Sequence, residues 1–452
     1  MPPPSPYDLL VLGTGSAAST VAHTVRAAGK RVGVIDCRPY GGTCVLRGCD
    51  PKKVLVGVAS AVDQARRMHG KGVTGRLRVE WPELMAFKRT FTDGVPEQRE
   101  QGFAKKGIET WHGTARFVGP TSVEVDGTRL DADRILIATG AEPARLGIEG
   151  KEYLTTSEAF LEMEKLPRRI ALVGGGYIAA EFSCIAAVAG AEVTVFQRGE
   201  RMLNPFDADL VGWLMQAFEG HGIDVRTNAN VEGIEKTKGA YAVTVSASER
   251  QETFEADLVV HAGGRVPALA DLDLDAAGVE TSKGRLRLND YLQSASNPAV
   301  YAGGDAAQKG PPLTPIASHD AEVVAANILE GNTVKPDYRA VPSVAFSMPP
   351  IAAVGMSEQQ AKEQGKRFRV NSRNTPDWYT ARQQAQPVYG FKVLVEEESD
   401  RILGAHLVGP HADEVINLFA LAIRHELTAA DLKATIFGYP TAASDIAHML
   451  TS

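Results

Sequence analysis

Cys44 and Cys49 stand with four residues between them in Gly41-Gly42-Thr43-Cys44-Val45-Leu46-Arg47-Gly48-Cys49-Asp50-Pro51-Lys52-Lys53. They follow closely on a strand, a Gly-rich turn, a helix and a second strand that open the chain. An opening unit of that kind holds the pyrophosphate of a dinucleotide at a helix N-terminus. A dithiol just past it is therefore placed to exchange electrons with a cofactor. A metal site on the same thiols needs further Cys or His at ligand spacing, and the nearest other cysteine is the lone Cys37. Two buried structural thiols are the other alternative. No metal is expected.

The elements that must position this dithiol occur twice. The first copy is strand 8–12, the turn Gly13-Thr14-Gly15-Ser16-Ala17-Ala18, a helix, and strand 31–35 ending at Asp36. The second is strand 169–173, the turn Gly174-Gly175-Gly176-Tyr177-Ile178-Ala179, a helix to Gly190, and strand 192–196. Each is a βαβ dinucleotide fingerprint with Ala in the last small position, which only has to let helix approach strand. Two copies predict two nucleotides.

The copies differ where the ligands should differ. Asp36 lies 21 residues after Gly15, and its carboxylate can accept hydrogen bonds from the hydroxyls of an adenosine ribose. The residue 21 positions after Gly176 is Gln197, followed by Arg198 and then Arg201. An amide and two cations suit a 2′-phosphate that a carboxylate would repel, so the second site is expected to prefer NADPH to NADH. The alternative is that Arg198 and Arg201 are solvated loop charges.

Three further segments read as parts of cofactor domains. Residues 134–138 form an apolar strand running into Thr139-Gly140, and residues 257–262 repeat that pattern ahead of Gly263-Gly264-Arg265. Residues 298–302 form a short strand that delivers Asp305 into a Gly-rich turn, where it can accept from a flavin's ribityl hydroxyls or simply cap the turn.

Composition supports a large enzyme of two to four domains. The 452 residues are 44% hydrophobic with a net charge of −7, no apolar run reaches the roughly 18 residues of a spanning helix, and the basic residues are dispersed. That argues against nucleic-acid and membrane partners and for a small-molecule or small-protein substrate. Four cysteines are too few for a disulfide scaffold, and the N-terminal residues lack the features of a signal peptide, so the chain reads as cytoplasmic.

Together these motifs resemble the class I pyridine nucleotide-disulfide oxidoreductases, the family of glutathione reductase, lipoamide dehydrogenase and mercuric reductase. Both fingerprints, Gly41-Gly42-Thr43-Cys44, Ala138-Thr139-Gly140, Gly264-Arg265-Val266-Pro267, Gly304-Asp305 and a C-terminal stretch through Pro440-Thr441 carry the likeness. It implies an α/β fold: two Rossmann-like dinucleotide-binding domains plus a C-terminal α+β dimerisation domain. Residues 1–150 and 267–333 would bind FAD, 151–266 NADPH, and 334–452 would form the interface of a homodimer. The interface domain would use strands such as 391–395 and 402–408.

The resemblance also implies roles. Cys44 and Cys49 would form the redox-active disulfide, Cys49 beside the flavin and Cys44 attacking substrate. Lys52 would pair with Glu181 near the flavin's reactive edge, where each charge stabilises the other. Tyr177 would cover the nicotinamide pocket, unless it is a core aromatic at a helix start. FAD would be held by Gly13, Gly15, Ser16, Ala17, Asp36, Gly42, Thr43, Lys52, Ala115, Thr139, Gly140, Asp305 and Thr314. NADPH would be held by Gly174, Gly176, Tyr177, Ile178, Glu181, Arg198, Arg201 and Gly264.

The chain also departs from the family. Disulfide reductases place a His, oriented by a Glu, in a His-Pro-Thr segment that reaches the partner subunit's dithiol. Here the segment reads Phe437-Gly438-Tyr439-Pro440-Thr441-Ala442-Ala443-Ser444, with Tyr439 at the His position and Ser444 at the Glu position. A phenol, with an ordinary pKa near ~10, donates to a thiolate but is a poor base near neutrality. Tyr439 resembles mercuric reductases, although the vicinal C-terminal cysteines of those enzymes have no counterpart before His448-Met449-Leu450-Thr451-Ser452. His319 and His448 are the alternative proton donors, or else structural histidines. The expected function is electron transfer from NADPH through FAD and the Cys44–Cys49 disulfide to a disulfide substrate. The alternatives are a mercuric-type metal or oxidant reductase using the same dithiol, and a flavin-binding redox sensor with slow turnover.

Overall fold

The structure is a computed structural model that describes residues 6–247 and 250–451. Two compact units share the chain. The first comprises residues 1–52, 87–144 and 265–338, and the second residues 53–86, 145–264 and 339–452.

The first unit is built on a parallel sheet. Its strands run in the order Glu109–His112, Val32–Asp36, Tyr7–Leu12, Thr128–Ile137, with Val300–Ala302 on the far side of Thr128–Ile137. Leu9, Leu10 and Val11 pair with Val32, Gly33 and Val34 on one side and with Arg134, Ile135 and Leu136 on the other. A central strand enclosed on both faces must be apolar throughout, and Leu9 to Val11 are fully buried. The first half of Thr128–Ile137 leaves the parallel register and continues into an antiparallel meander with Ser122–Val125 and Ala115–Gly119. Helix Ser16–Ala27 turns Ala17, Ala18, Val21, Ala22 and Val25 inward, and its small residues let helix Thr314–Glu330 pack closely against it. Every parallel strand therefore ends on the same edge, which brings Gly13, Asp36, Thr139-Gly140 and Gly304-Asp305 together.

The second unit contains a four-stranded parallel sheet in the order Ile223–Arg226, Glu192–Phe196, Arg169–Val173, Leu258–His261. Helix Tyr177–Val188 packs on it with Ala179, Ala180, Phe182, Ile185 and Val188 buried. A three-stranded antiparallel sheet, Ala229–Lys236, Tyr241–Ala247 and Arg250–Ala256, adjoins it. The C-terminal part is a five-stranded antiparallel sheet in the order Ser343–Ala345, Ile351–Gly355, Ile402–Val408, Gly390–Glu396, Phe368–Asn374, covered by helix Ala412–Arg424. Val393, Leu394 and Val395 are fully buried, so the two strands expected at 391–395 and 402–408 form the centre of this sheet. The expected α/β class, with two Rossmann-like folds and a C-terminal α+β domain, is the fold observed. Among the described residues no helix is long and apolar enough to cross a membrane.

Candidate active site

The dithiol belongs to the first unit. Cys44 sits in the short helix Gly42–Arg47, and Cys49 opens the helix Cys49–Arg67. Thr314, the first residue of helix Thr314–Glu330, reaches both sulfurs: its Oγ1 donates to Cys44 Sγ at 3.0 Å and lies 3.5 Å from Cys49 Sγ. Both cysteines are free thiols, Cys44 half-buried and Cys49 exposed. The two are not equivalent acids. A hydrogen bond from Cys44, reinforced by Thr314 and the charge of Lys52, pulls Cys49 down to about 6. The same bond, with burial, pushes Cys44 far up. The pair is thus asymmetric, with Cys49 the more acidic thiol and Cys44 the weaker acid.

The Gly-rich turn is folded directly against this dithiol loop. Gly13 has φ +112°, and a Cβ there would lie 2.4 Å from the Ala138 carbonyl oxygen. A Cβ on Gly42 would lie 2.4 Å from the Cα of Gly15. Only glycines allow the two backbones to meet so closely. Thr14, buried between them, donates to Asp36 Oδ2 at 2.6 Å and accepts from the Gly41 amide at 3.1 Å. Ser16 and Ala17 begin the helix, whose N-cap Gly15 offers no capping side chain, so its first amides are available to an anion. Asp36 Oδ1 accepts from the Arg38 amide at 3.0 Å.

On the neighbouring strand ends, Thr139 Oγ1 donates to the Ala268 carbonyl at 2.7 Å while the Ala268 amide returns to the Gly140 carbonyl at 3.0 Å. Burial raises the Asp305 carboxyl against the pull of Arg265. Asp320, fully buried, accepts from the Gly304 amide at 2.9 Å and from the Tyr338 hydroxyl at 2.6 Å, so it orients the turn that carries Asp305. Thr43 and Ala115 are half-buried, Ala115 at the start of its strand. A side-chain-free cradle, exposed helix amides and a carboxylate at the ribose position fit an adenine dinucleotide. His319 is tied elsewhere: its Nε2 accepts from the Asp337 amide at 2.9 Å.

The second unit repeats the cradle. Gly174 has φ +115° and a Cβ there would lie 2.3 Å from the Ala262 carbonyl oxygen, whereas the space at Gly176, the N-cap of the next helix, is open. Ile178 follows half-buried, and Gly264 is exposed with φ +102°. Tyr177 is half-buried with its ring 5.4 Å from that of Phe206, and burial raises its phenol while Ser343 donates support in the opposite direction. Glu181 is buried and accepts from the Phe346 amide at 3.0 Å. Lys52 is likewise buried, at the end of its segment of the first unit.

At the ribose end, Gln197 lies across Gly175 and its Nε2 donates to the Arg201 carbonyl at 3.1 Å. Arg198 is exposed. Arg201 donates to the carbonyls of Phe206 at 2.9 Å and Asn204 at 3.0 Å, so part of its guanidinium shapes the loop itself. An exposed cation, an amide in place of an acid and an open helix N-terminus fit a 2′-phosphorylated dinucleotide.

Tyr439 is 81% exposed beside Ile436 at 98%, and with His448, Asp445, Trp378 and Tyr379 it lines a cavity of about 790 Å³. Ser444 does not serve Tyr439: its hydroxyl closes a capping box with Thr441. Among the described residues no cluster of His, Cys, Asp or Glu is arranged to hold a metal ion. Thr14 and Asp320 escaped the sequence reading. Thr14 had a signal, its place between two cradle glycines, while nothing local to Asp320 pointed to Gly304.

These features have relatives. The family described as pyridine nucleotide-disulphide oxidoreductase matches residues 7–321, and its dimerisation domain matches residues 341–450. A mercuric reductase of Lysinibacillus sphaericus is 33% identical over 97% of this chain and 81% of its own. A glutathione reductase of Burkholderia cepacia is 32% identical over 97% of both chains. Among solved structures, the HOCl-induced flavoprotein disulfide reductase RclA from Escherichia coli superposes with a TM-score of 0.88 at 26% identity, covering 98% of this chain and 99% of that one. The chain therefore belongs to the pyridine nucleotide-disulphide oxidoreductase family: it is a flavin-dependent oxidoreductase with a dimerisation domain, of a family whose cofactors are FAD and NADPH.

Proposed function

We propose that the protein reduces a disulfide with electrons from NADPH, passed through FAD to the Cys44–Cys49 pair of a homodimer. The observation that carries this reading is geometric: Cys44 and Cys49 meet at one residue, Thr314, whose Oγ1 lies 3.0 Å and 3.5 Å from their sulfurs, on a loop packed against the Gly13-Thr14-Gly15 cradle. When bound, FAD supplies the exchange between two-electron hydride chemistry and the dithiol. The chain's residues do the rest. Cys44 attacks one sulfur of the substrate as its proton passes to the Cys49 thiolate. The departing thiolate takes that proton, and Cys49 then attacks Cys44, closing the disulfide and releasing the second thiolate, which is protonated from solvent. Lys52 keeps positive charge beside Cys49, and Tyr439 of the partner subunit reaches the dithiol as a hydrogen-bond donor. Arg198 contacts the 2′-phosphate of the nucleotide, and Tyr177 covers the nicotinamide pocket. The site lies soluble-side and intracellular in this reading, in a cytoplasm that keeps thiols reduced.

A second reading, reduction of a soft metal or oxidant, is favoured by one observation: Tyr439 and Ser444 replace the imidazole and carboxylate of a proton shuttle, and Ser444 is engaged in a cap. Solved Cu(II) complexes of the RclA protein point the same way. The deciding experiment follows NADPH oxidation with small disulfides, Hg(II), Cu(II) and quinones. Turnover with disulfides that vanishes in Cys44→Ser supports the first reading, and turnover confined to metals or oxidants replaces it with the second. Rapid flavin reduction without turnover on any acceptor would mark a redox sensor.

A further inference from the structure

The nucleotide loop of the second unit is anchored at both ends, and one anchor comes from the dimerisation domain. At its near end Leu203, in the left-handed region with φ +51°, donates its amide to the Gly175 carbonyl at 2.8 Å, and Met202, Leu203 and Phe206 are buried behind it. At its far end Asp207 caps helix Ala208–Gly220, accepting from the Asp209 amide at 3.0 Å. Lys392, on strand Gly390–Glu396, reaches this cap. Its Nζ lies 3.0 Å from Asp207 Oδ2, 2.7 Å from Asp209 Oδ2 and 3.2 Å from Glu358 Oε2.

This cluster is built to hold a position. The Lys392 and Asp207 side chains are 6% and 7% exposed, so neither charge has water as an alternative partner. Glu358 is balanced in turn by Lys362. The register places His406 opposite Lys392, where burial lowers its imidazole and its Nε2 donates to the Met356 carbonyl at 3.1 Å, so it adds no competing buried cation. The strand also comes close to the helix because Gly390 has no side chain: a Cβ there would lie 2.5 Å from the Trp213 ring.

We infer that Lys392 is a positioning residue for 2′-phosphate recognition: by holding Asp207 it holds loop 197–207, and with it Arg198, against the Gly174-Gly175-Gly176 turn. Arg201, bonded to the carbonyls of Asn204 and Phe206, is the internal strut of the same loop. The inference rests on the reading that Arg198 meets the phosphate. It makes nucleotide selectivity depend on a residue of another domain, distant in sequence from both fingerprints.

The test measures binding of adenosine 2′,5′-bisphosphate and of 5′-AMP to the oxidised flavoprotein by calorimetry, with flavin content and melting temperature recorded for each variant. Lys392→Met is expected to weaken the bisphosphate about tenfold and 5′-AMP less than about twofold, because only the phosphate-bearing end of the nucleotide loses its partner. A folded, flavin-loaded Lys392→Met protein that keeps the parent's affinity for the bisphosphate overturns the inference. Should that variant fail to fold, Asp207→Asn carries the test, since the amide oxygen can still accept from the Asp209 amide at the helix cap while the charge that Lys392 holds is removed. It is expected to weaken the bisphosphate about threefold, and unchanged affinity overturns the inference. Arg198→Ala separates the two levels. Lost bisphosphate selectivity in Arg198→Ala but not in the Lys392 or Asp207 variant overturns the positioning alone, whereas unchanged selectivity in Arg198→Ala overturns the nucleotide reading and this inference with it.

Discussion

The two Gly-rich turns solve one backbone problem and then diverge in what is packed against them. Gly13 and Gly174 share a positive φ near the same value, 112° and 115°, and each lies where a methyl group would strike a carbonyl oxygen of the strand ending beside it. The glycines at the third position of each turn differ. Gly15 is covered by Gly42 of the dithiol loop, while the space before Gly176 is open. The ribose positions differ too. Asp36 is locked by Thr14 and the Arg38 amide, whereas Gln197 lies over its own turn beside the exposed Arg198. A duplicated scaffold thus became a closed, acidic cradle joined to a redox pair and an open, basic one that can admit and release its nucleotide. Chemistry was assigned by the contacts around the turn rather than by the turn.

The largest difference between the cradles is the dithiol, which only the first carries. Cys49→Ser is expected to lower disulfide turnover by about a thousandfold or more while flavin reduction by NADPH continues, because the substitution removes a covalent step and leaves the second cradle untouched. Stopped-flow absorbance of the flavin, set against steady-state turnover, measures both. Turnover that survives would remove the dithiol from the reaction.

Gly13→Ala and Gly174→Ala should each cost about 2–4 kcal/mol locally, from a strained φ and a backbone clash. Their consequences should diverge: Gly13→Ala is expected to be purified with little flavin, and Gly174→Ala with full flavin but a strongly raised KM for NADPH. Flavin absorbance per chain reads the first, and reduction kinetics the second. Equal flavin loss in both would mean that the cradles do not divide the two cofactors.

Gln197→Glu gives the second cradle the acid of the first. A carboxylate there opposes a 2′-phosphate, so the NADPH preference should fall about tenfold, with part of the change appearing as better use of NADH. The ratio of kcat/KM values for the two nucleotides is the measurement, and an unchanged ratio would detach Gln197 from selectivity.

The pH response is smaller and belongs to the first cradle alone. Because the Cys49 pKa is depressed to about 6, its thiolate is present above that value and is lost as pH falls through it. Long-wavelength absorbance of the two-electron-reduced protein should be constant above about pH 7 and roughly halved near pH 6. A band that stays level down to pH 5 would show that Cys49 is not the group responsible.

The least effect is expected at Tyr439. Tyr439→His should raise turnover of small disulfides by about threefold, since Ser444 is engaged with Thr441 and offers the new imidazole no orienting carboxylate. Adding Ser444→Glu should increase the gain. If neither variant changes turnover while the flavin reduces normally, proton transfer at Tyr439 does not limit the reaction.

Much of this architecture is written locally. Glycines at fixed offsets between an apolar strand and a helix specify the cradle, because the turn geometry excludes side chains whatever surrounds it. The difference between Asp36 and Gln197 is also local, a matter of charge at one spacing. The tertiary structure alone decided the rest. The acidity of Cys49 depends on Cys44, on Lys52 and on Thr314, which lies 265 residues away in sequence. Asp320 orients the Asp305 turn, and Arg201 joins the fabric of its own loop. Lys392 reads as an ordinary strand lysine until the fold carries it to Asp207. Hydrogen bonds and ion pairs of this kind act over about 3 Å, and only folding brings residues hundreds of positions apart within that range.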